Sequence, residues 1–309
     1  MLRFVSNLNK YNNRDTNNDY HPEYQYLNLL RDIIEHAKMQ KGRNGNVLTE
    51  FGSSMHFDLS NNIVPILTTK KTAWKTCIKE LLWFIRGDTS NIKLQNEKVH
   101  IWDGNGSREF LDSRGLVSYE EGDLGPIYGY QWRHFNAEYN GMNNDYTGTG
   151  VDQLNSVIET LKDPEKRTSR RMIVSAWNPC QIDEMALPPC HIMFQFNVVD
   201  GNKLSCSLYQ RSVDTALGQP FNICSYAVLT HLIAHHCDLI PHEFVYYMGN
   251  VHIYEEHIEP MKMQIERKPY HFPKIEILSK RDNIEDYTIE DFKIIDYKHH
   301  EAIKMKMVV

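Results

Sequence analysis

Residues 186–214, ALPPCHIMFQFNVVDGNKLSCSLYQRSVD, contain two runs of alternating apolar and polar side chains separated by a turn. Such alternation is typical of a β-strand with one buried face. Apolar residues hold the alternate positions of the first run: Ile192, Phe194, Phe196 and Val198. Asp200-Gly201 is a strong tight-turn signal before the second run. The stretch therefore predicts an antiparallel hairpin.

Three longer segments have the apolar pattern of helices. In residues 23–39 the apolar side chains recur at helical spacing, and residues 72–87 are apolar on most of the predicted helix surface up to Gly87. Residues 225–240 form a third apolar segment. Strands and long helices mixed without a repeating βαβ order predict an α+β fold, in which helices cover a sheet.

The totals indicate an ordinary globular chain of 309 residues with a net charge of -6. This charge argues against a general nucleic-acid binder and leaves room for a local basic pocket. No apolar run approaches the roughly 20 residues of a membrane helix. Residues 1–20 are rich in Asn and lack a signal-peptide core. We expect a flexible lead-in over 1–20 and a single catalytic domain over 21–309.

The six cysteines form no C-x-x-C pair, which favours reduced thiols in a cytoplasmic compartment. His231 and His235 are four residues apart and Cys237 follows, a spacing also seen in zinc sites. No acidic partner and no second ligand pair accompany them, so we predict no metal.

Cys190 follows Pro188-Pro189, so it begins a strand at the rim of the sheet. The hairpin brings Arg211 towards the same end, where a cation would favour a nucleophilic thiolate. A buried thiol and a solvated arginine remain the alternative. Ser212 and Asp214 follow Arg211 and add a donor and an acceptor for an anionic ligand.

The carboxamide of Asn222 both donates and accepts hydrogen bonds, so it can pair with the edge of a uracil ring and refuse cytosine. Taken alone, the residue is equally typical of a helix N-cap. Arg170 and Arg171 are adjacent and would point to opposite faces of a strand. Both can serve one site only through an irregular backbone or a second subunit.

From about residue 24 to Val309 the chain resembles the thymidylate synthase family. The resemblance is carried by collinear motifs at residues 64–90, 101–112, 122–135, 185–191, 208–214, 217–235, 252–260 and 302–309, among them GDLGPIYGYQWRHF, MALPPCH and LYQRSVD. It implies a three-layer α+β fold with a mixed sheet, assembled as a sheet-mediated homodimer. Arg170 and Arg171 would then enter the partner's site, and the cluster of cations would lower the pKa of Cys190.

The resemblance also implies the reaction, reductive methylation of dUMP to dTMP. 5,10-Methylenetetrahydrofolate would supply both the carbon and the hydride and leave as dihydrofolate, with neither metal nor NAD(P). The Cys190 thiolate would add to C6 of the pyrimidine. The chain as given carries no dihydrofolate reductase segment, so we expect another protein to recycle the dihydrofolate.

Residue roles carry over motif by motif. Catalytic roles are implied for Cys190, Glu80, Tyr128, His191, Arg211 and Asp214. Contacts to dUMP are implied for Arg43, Arg170, Arg171, Gln210, Arg211, Ser212, Asp214, Asn222, His252 and Tyr254. Contacts to the folate are implied for Lys70, Ile101, Trp102, Asn105, Leu187, Asp214, Gly218, Phe221, Val308 and Val309.

Several features depart from the family pattern. Tyr246 stands where the family commonly has His, Asn197 where it has Tyr, and Gln219 where it has an apolar residue. Two more concern Asn250 and Arg43. Asn250 stands where the family commonly has Asp, and the loop that carries Arg43 is one residue shorter, so we expect an altered KM rather than lost chemistry. One alternative is a deoxyuridylate hydroxymethylase, which adds water instead of hydride, although Trp102 and the terminal valines favour reduction. The other is a catalytically silent nucleotide- or RNA-binding dimer, against which the retained Cys190 and its arginines argue.

Overall fold

The predicted hairpin lies within a six-stranded sheet in the structure, a computed structural model that describes residues 21–42 and 44–307. The expected roles of residues 1–20, Arg43, Val308 and Val309 lie outside the described residues. The strands of the sheet are β1 Met39–Gly42, β2 Gly45–Asp58, β3 Ile173–Ser175, β4 His191–Val199, β5 Lys203–Asp214 and β6 Ile240–Tyr254. A two-stranded sheet pairs β7 Lys274–Ile277 with β8 Phe292–Ile295.

The strand order of the large sheet is β1-β2-β6-β5-β4-β3. The pair β5–β6 is parallel, and the other pairs of this sheet are antiparallel. A parallel pair needs a crossover connection, which a long helix provides between β5 and β6. The mixed sheet agrees with the α+β prediction.

The hairpin turn has the backbone that its sequence predicts. Asp200 and Gly201 both have positive φ, 51° and 82°, and with Asn202 they form the turn between the paired residues Val199 and Lys203. The strict alternation predicted for β4 is wrong at the start of the strand, because the pairing register shifts between His191 and Met193. The irregularity leaves Ile192 only half-buried and turns His191 inward.

The helices agree in place with the apolar segments. Their bounds are α1 Tyr24–His36, α2 Trp74–Ile85, α3 Asn91–Asn96, α4 Asp103–Gly106, α5 Arg108–Ser113, α6 Gly129–His134, α7 Gln153–Lys162, α8 Gly218–His236 and α9 Ile258–Ile265. Gly87 has φ 73° just after α2, which is the left-handed conformation that commonly ends a helix. Residues 136–150 contain neither helix nor strand, as the surface-loop composition indicates.

Helix α8 begins at Gly218, seven residues before the apolar segment that predicted it. Pro220 is compatible with this early start, because the first turn of a helix needs no internal N–H donor. Asn222 therefore lies inside the helix, and its interpretation as an N-cap is wrong. Its side chain is available for another partner.

The sheet, α8 and α2 form successive layers, since α8 packs against β5 and β6 on one side and against α2 on the other. Burial of α8 around nearly its whole circumference explains its uniformly apolar sequence. The opposite face of the sheet carries exposed Met193, Tyr209 and Tyr247 side by side on three paired strands. Among the helices of the described ranges, none has the length and apolar character of a membrane span.

Candidate active site

Cys190 and Arg211 meet at one end of the β4–β5 hairpin, as predicted. The backbone N–H of Arg211 donates to the carbonyl of Cys190 at 2.9 Å. The guanidinium donates through Nε to the carbonyl of Pro189 and through Nη2 to that of Pro188, both at 2.9 Å. Arg211 is thus fixed by the two residues that precede the thiol, and its remaining N–H donors can serve an anion.

The thiol-bearing residue is also tied to a buried tyrosine. The N–H of Cys190 donates to the phenolic oxygen of Tyr128 at 2.9 Å. Tyr128 is buried, and its backbone has φ 30° and ψ -94°, an unusual conformation for a residue with a side chain. Burial, together with the nearby Cys190, raises the pKa of Tyr128 well above its usual value. The phenol stays neutral, and its hydrogen can be donated into the site.

Glu80 lies beside this tyrosine. Trp102 Nε1 donates to Glu80 Oε1 at 2.8 Å, and the rings of Trp102 and Tyr128 are 5.9 Å apart. Burial raises the pKa of Glu80 to about 7. A carboxyl with this pKa is suited to hold or release a proton near neutral pH.

His191 and Asn222 form a buried polar pair between β4 and α8. Asn222 Nδ2 lies 2.7 Å from His191 Nε2, and because an amide nitrogen can only donate, Nε2 accepts. Burial lowers the pKa of His191 to about 4, so the ring is neutral at physiological pH. Its buried Nδ1 has no hydrogen-bond partner within the described part of the chain, which makes it a donor left for a ligand or a water.

The carboxyl ends of β5 and β6 complete the site, together with the start of α8. Asp214 ends β5, and its Oδ1 accepts from the N–H groups of Ala216 at 2.9 Å and Leu217 at 3.4 Å, which shapes the turn into α8. In the register of the sheet, Asp214 is paired with His252. Ligands commonly bind where parallel strands end and a helix begins.

His252 is oriented by its neighbour on β6. Its Nδ1 lies 3.0 Å from Asn250 Oδ1, and Asn250 Nδ2 donates to Thr49 Oγ1 at 2.7 Å. An amide oxygen only accepts, so Nδ1 carries the hydrogen and Nε2 is left as an acceptor. Burial lowers the pKa of His252. The ring edge of Tyr254 packs against this histidine, with centroids 5.2 Å apart.

The family profile described as thymidylate synthase matches residues 24–309. This chain belongs to the thymidylate synthase family. It is similar to the protein named bifunctional dihydrofolate reductase-thymidylate synthase from Plasmodium chabaudi, with 53% identity over 290 residues, 93% of this chain and 49% of the relative. Proteins of the same name from Zea mays and Leishmania major are 51% and 50% identical over 94% of this chain and 55% and 56% of their own length. The chain spans about half the length of the curated relatives it matches.

The residues that the family motifs assign to the folate differ in burial. Ile101, Leu187 and Phe221 are half-buried and pack against the core, and Asn105 is half-buried in α4. Lys70 is directed inwards, where its ammonium donates to the carbonyl of Ala216. Burial lowers the pKa of Lys70 to about 8. These folate contacts stay predictions.

Arg170 and Arg171 do not join the site of their own chain. Both are exposed in a turn just before β3, so the backbone that carries them is not a strand. The carbonyl of Arg170 accepts from Gln195 Nε2 at 3.1 Å. Gln195 is five residues beyond Cys190 along the chain, so Arg170 lies about 16 Å along the strand from Cys190.

Two residues at the site had no assignment from sequence. The ring of Trp177 lies 5.5 Å from the guanidinium carbon of Arg211, and the hydroxyl of Tyr246 contacts Gln210 Oε1. Trp177 lies in a coil segment, where periodicity carries no signal. Tyr246 and Met248 are alternate buried residues of β6, and that pattern indicates an inward position but not a polar partner.

The histidines with zinc-like spacing point to separate partners. His231 Nε2 lies 2.8 Å from the carbonyl of Ile63, and His235 Nε2 lies 3.2 Å from that of Ser279. Cys237 Sγ contacts the carbonyl of Ile158 at 4.0 Å. Within residues 21–42 and 44–307, no three His, Cys, Asp or Glu side chains are grouped to hold a metal.

Proposed function

We propose that this chain is a thymidylate synthase, which converts dUMP and 5,10-methylenetetrahydrofolate into dTMP and dihydrofolate. The observation that carries the proposal is the position of Cys190, at a strand end between the Tyr128 phenol and the Arg211 guanidinium. Membership of the family over residues 24–309 supports it, and so do the names of relatives about 50% identical.

The nucleotide would lie across the strand ends. The free donors of Arg211 and the hydroxyl of Ser212 suit a phosphate. Asn222 would read the uracil edge, because its amide oxygen and second N–H remain after the contact to His191. The acceptor Nε2 of His252 suits the 3′-hydroxyl of the sugar, with Tyr254 beside it.

The proposed chemistry begins with the Cys190 thiolate, whose sulfur forms a bond to C6 and pushes the electron pair of the C5–C6 double bond towards C5 and O4. Glu80, with a pKa of about 7, would supply a proton to O4 through water. C5 then bonds to the methylene carbon as the bond from that carbon to one folate nitrogen breaks. A water held by Tyr128 would take the C5 proton, and the electron pair left behind expels the second folate nitrogen to form an exocyclic methylene. Hydride from the folate reduces this methylene, and the sulfur–C6 bond breaks to return the thiolate.

The folate would supply the methylene carbon and, after elimination, the hydride that reduces it to a methyl group. The residues present fit this co-substrate. Half-buried Ile101, Leu187 and Phe221 offer an apolar surface for its rings, and Asp214 offers an acceptor for pterin N–H groups. Buried Trp102 joins that surface to Glu80 and would exclude water.

We also propose a homodimer in which each site takes two arginines from the partner. The uncovered sheet face with Met193, Tyr209 and Tyr247 is an apolar surface of the kind that mediates association. The distance of Arg170 and Arg171 from Cys190 in one chain supports their use by the other subunit. The proposal includes one catalytic domain over residues 21–309 and a lead-in over 1–20. It also includes a cytoplasmic location, which suits six cysteines that form no disulfide.

The test is turnover of dUMP and 5,10-methylenetetrahydrofolate by the purified chain, with products resolved by mass spectrometry. We expect dTMP and dihydrofolate in equal amounts from the wild type and neither from Cys190→Ala. The matched control is Cys180→Ala, which removes an exposed thiol and should retain full activity. Hydroxymethyl-dUMP without dihydrofolate, or turnover by Cys190→Ala, would contradict the proposal.

A further inference from the structure

A buried chain of hydrogen bonds crosses the inner face of the sheet and ends beside Arg211. The hydroxyl of Tyr246 contacts Gln210 Oε1, and Gln210 Nε2 donates to the carbonyl of Ser212 at 2.8 Å. Tyr246 has no exposed surface and Gln210 is 3% exposed, so water does not compete for these bonds.

Each group in this series of hydrogen bonds has only one possible role, as donor or as acceptor. The Ser212 carbonyl can only accept, so the amide of Gln210 must turn its nitrogen towards it. The amide oxygen then faces Tyr246, whose hydroxyl must donate. Burial raises the pKa of Tyr246 well above its usual value, and the neighbouring Cys190 and Tyr128 act in the same direction. The Tyr246 phenol therefore keeps the hydrogen that it donates to Gln210 Oε1.

These hydrogen bonds fix the segment of β5 that would face the ligand. Gln210 is paired with His191 on one side and Met248 on the other, which fixes its backbone. Arg211 comes next, and its N–H is held by the carbonyl of Cys190. The Gln210 side chain then holds the carbonyl of Ser212. The N–H of Arg211 and the carbonyl of Ser212 are thus fixed by separate bonds.

We propose that Tyr246 is a positioning residue for the nucleotide phosphate. Its hydroxyl orients Gln210, and Gln210 holds the Ser212 peptide so that Arg211 and Ser212 direct their donors to one anion. This inference rests on the proposed function, because it assigns that anion to dUMP. Tyr246 acts on the phosphate site only through the side chain of Gln210.

Tyr246→Phe keeps the ring and removes the donor, which leaves the buried Gln210 oxygen without its partner. We expect the dissociation constant of dUMP to rise about tenfold, since one buried hydrogen bond is lost. That of deoxyuridine, which lacks the phosphate, should change by less than about twofold because its contacts lie on other residues. The KM for dUMP should rise while kcat at saturation stays within about threefold.

The matched control is Tyr287→Phe, another fully buried tyrosine, whose hydroxyl accepts from the N–H of Arg281 outside the site. It should lose stability without any change in the ratio of dUMP to deoxyuridine affinity. Gln210→Met removes the same bond from the other side and should reproduce the altered ratio. In the double variant, Tyr246→Phe added to Gln210→Met should not change the ratio of dUMP to deoxyuridine affinity further.

Each of the following results would overturn the inference. Equal weakening of dUMP and deoxyuridine by Tyr246→Phe would indicate a general disturbance. Additive losses in the double variant would show that Tyr246 does not act through Gln210. A wild type that binds neither ligand would overturn the proposed function as well. If the wild type binds dUMP but the variants leave the ratio of dUMP to deoxyuridine affinity unchanged, only the role of Tyr246 is overturned.

Discussion

The backbone N–H of Cys190 donates to the phenolic oxygen of Tyr128 at 2.9 Å, across 62 residues of chain. Because the oxygen accepts there, the phenolic hydrogen is left for another partner. One side chain therefore orients the nucleophile and presents a proton beside it. The unusual backbone of Tyr128, at φ 30°, is the conformation that accompanies this placement.

Tyr128→Phe should lower kcat by about a hundredfold or more, because a positioned proton-transfer group is lost. Binding of dUMP should weaken by less than about fivefold, because the phenyl ring still fills the space. Steady-state kinetics and equilibrium titration with dUMP measure the two effects.

The control is Tyr130→Phe, two residues along the chain. The Tyr130 hydroxyl donates to the carbonyls of Ala137 and Glu138, away from Cys190, so kcat should stay within about twofold. Equal losses of kcat in both variants would mean that the loop was merely destabilised.

Glu80 predicts a pH dependence of stability. Its pKa is about 7 in the folded protein against 4.5 for the ordinary group, so the folded state binds this proton more tightly. The free energy of unfolding should therefore fall as the pH rises from 4.5 to 7 and stay low above that range. Glu80→Gln lacks the titration, so relative to wild type it should gain about 1–3 kcal/mol between pH 5 and pH 8.

Urea unfolding at both pH values, at one protein concentration, measures that difference. The amide oxygen of Gln can still accept from Trp102 Nε1, so the variant isolates the charge from the hydrogen bond. A stability difference that does not change with pH would refute the raised pKa.

Asn222→Asp should change the preferred base. A carboxylate cannot donate to the O4 of uracil, so kcat/KM for dUMP should fall about a hundredfold, while a protonated or water-bridged carboxyl suits dCMP better than the amide does. Kinetics with both nucleotides test this. Asn178→Asp, a buried change outside the site, should leave the preference for dUMP intact.

The proposed sharing of Arg170 and Arg171 between subunits predicts complementation between inactive variants. Arg171→Ala and Cys190→Ala should each be inactive, but a heterodimer of the two contains one intact site. Random reassociation should therefore restore about a quarter of the wild-type activity, since half of the dimers are mixed. Arg211→Ala mixed with Cys190→Ala should restore none, because both residues belong to the same chain's site. Recovery with the Arg211 variant, or none with the Arg171 variant, would contradict the shared site.

Local patterns predicted the parts of the fold that follow from neighbouring residues. Alternation and Asp200-Gly201 predicted the hairpin, which allowed Arg211 to lie near Cys190 but left a solvated arginine as the alternative. The register shift between His191 and Met193 was missed, because such an irregularity interrupts the alternation that reveals a strand. The early start of α8 was missed because Pro220 is as typical of a loop as of a first helical turn.

The remaining features of the site depend on contacts distant in sequence. The bond from Tyr246 to Gln210 joins residues 36 apart, and neither residue has a local signal for the other. The parallel pairing of β5 with β6 also depends on a helix crossing between them. Resemblance to the family supplied roles for Tyr128 and Glu80, whereas their hydrogen bonds and their raised pKa values come from the structure.

The most direct test of the account is mass analysis of the Cys190 peptide after incubation with 5-fluoro-dUMP and 5,10-methylenetetrahydrofolate. Fluorine at C5 cannot leave as a proton does, so the reaction should stop with the nucleotide bonded to both the thiol and the folate carbon. We predict an adduct of that combined mass on Cys190, absent when the folate is omitted. An adduct on another cysteine, or none in a protein that turns over dUMP, would contradict Cys190 as the nucleophile.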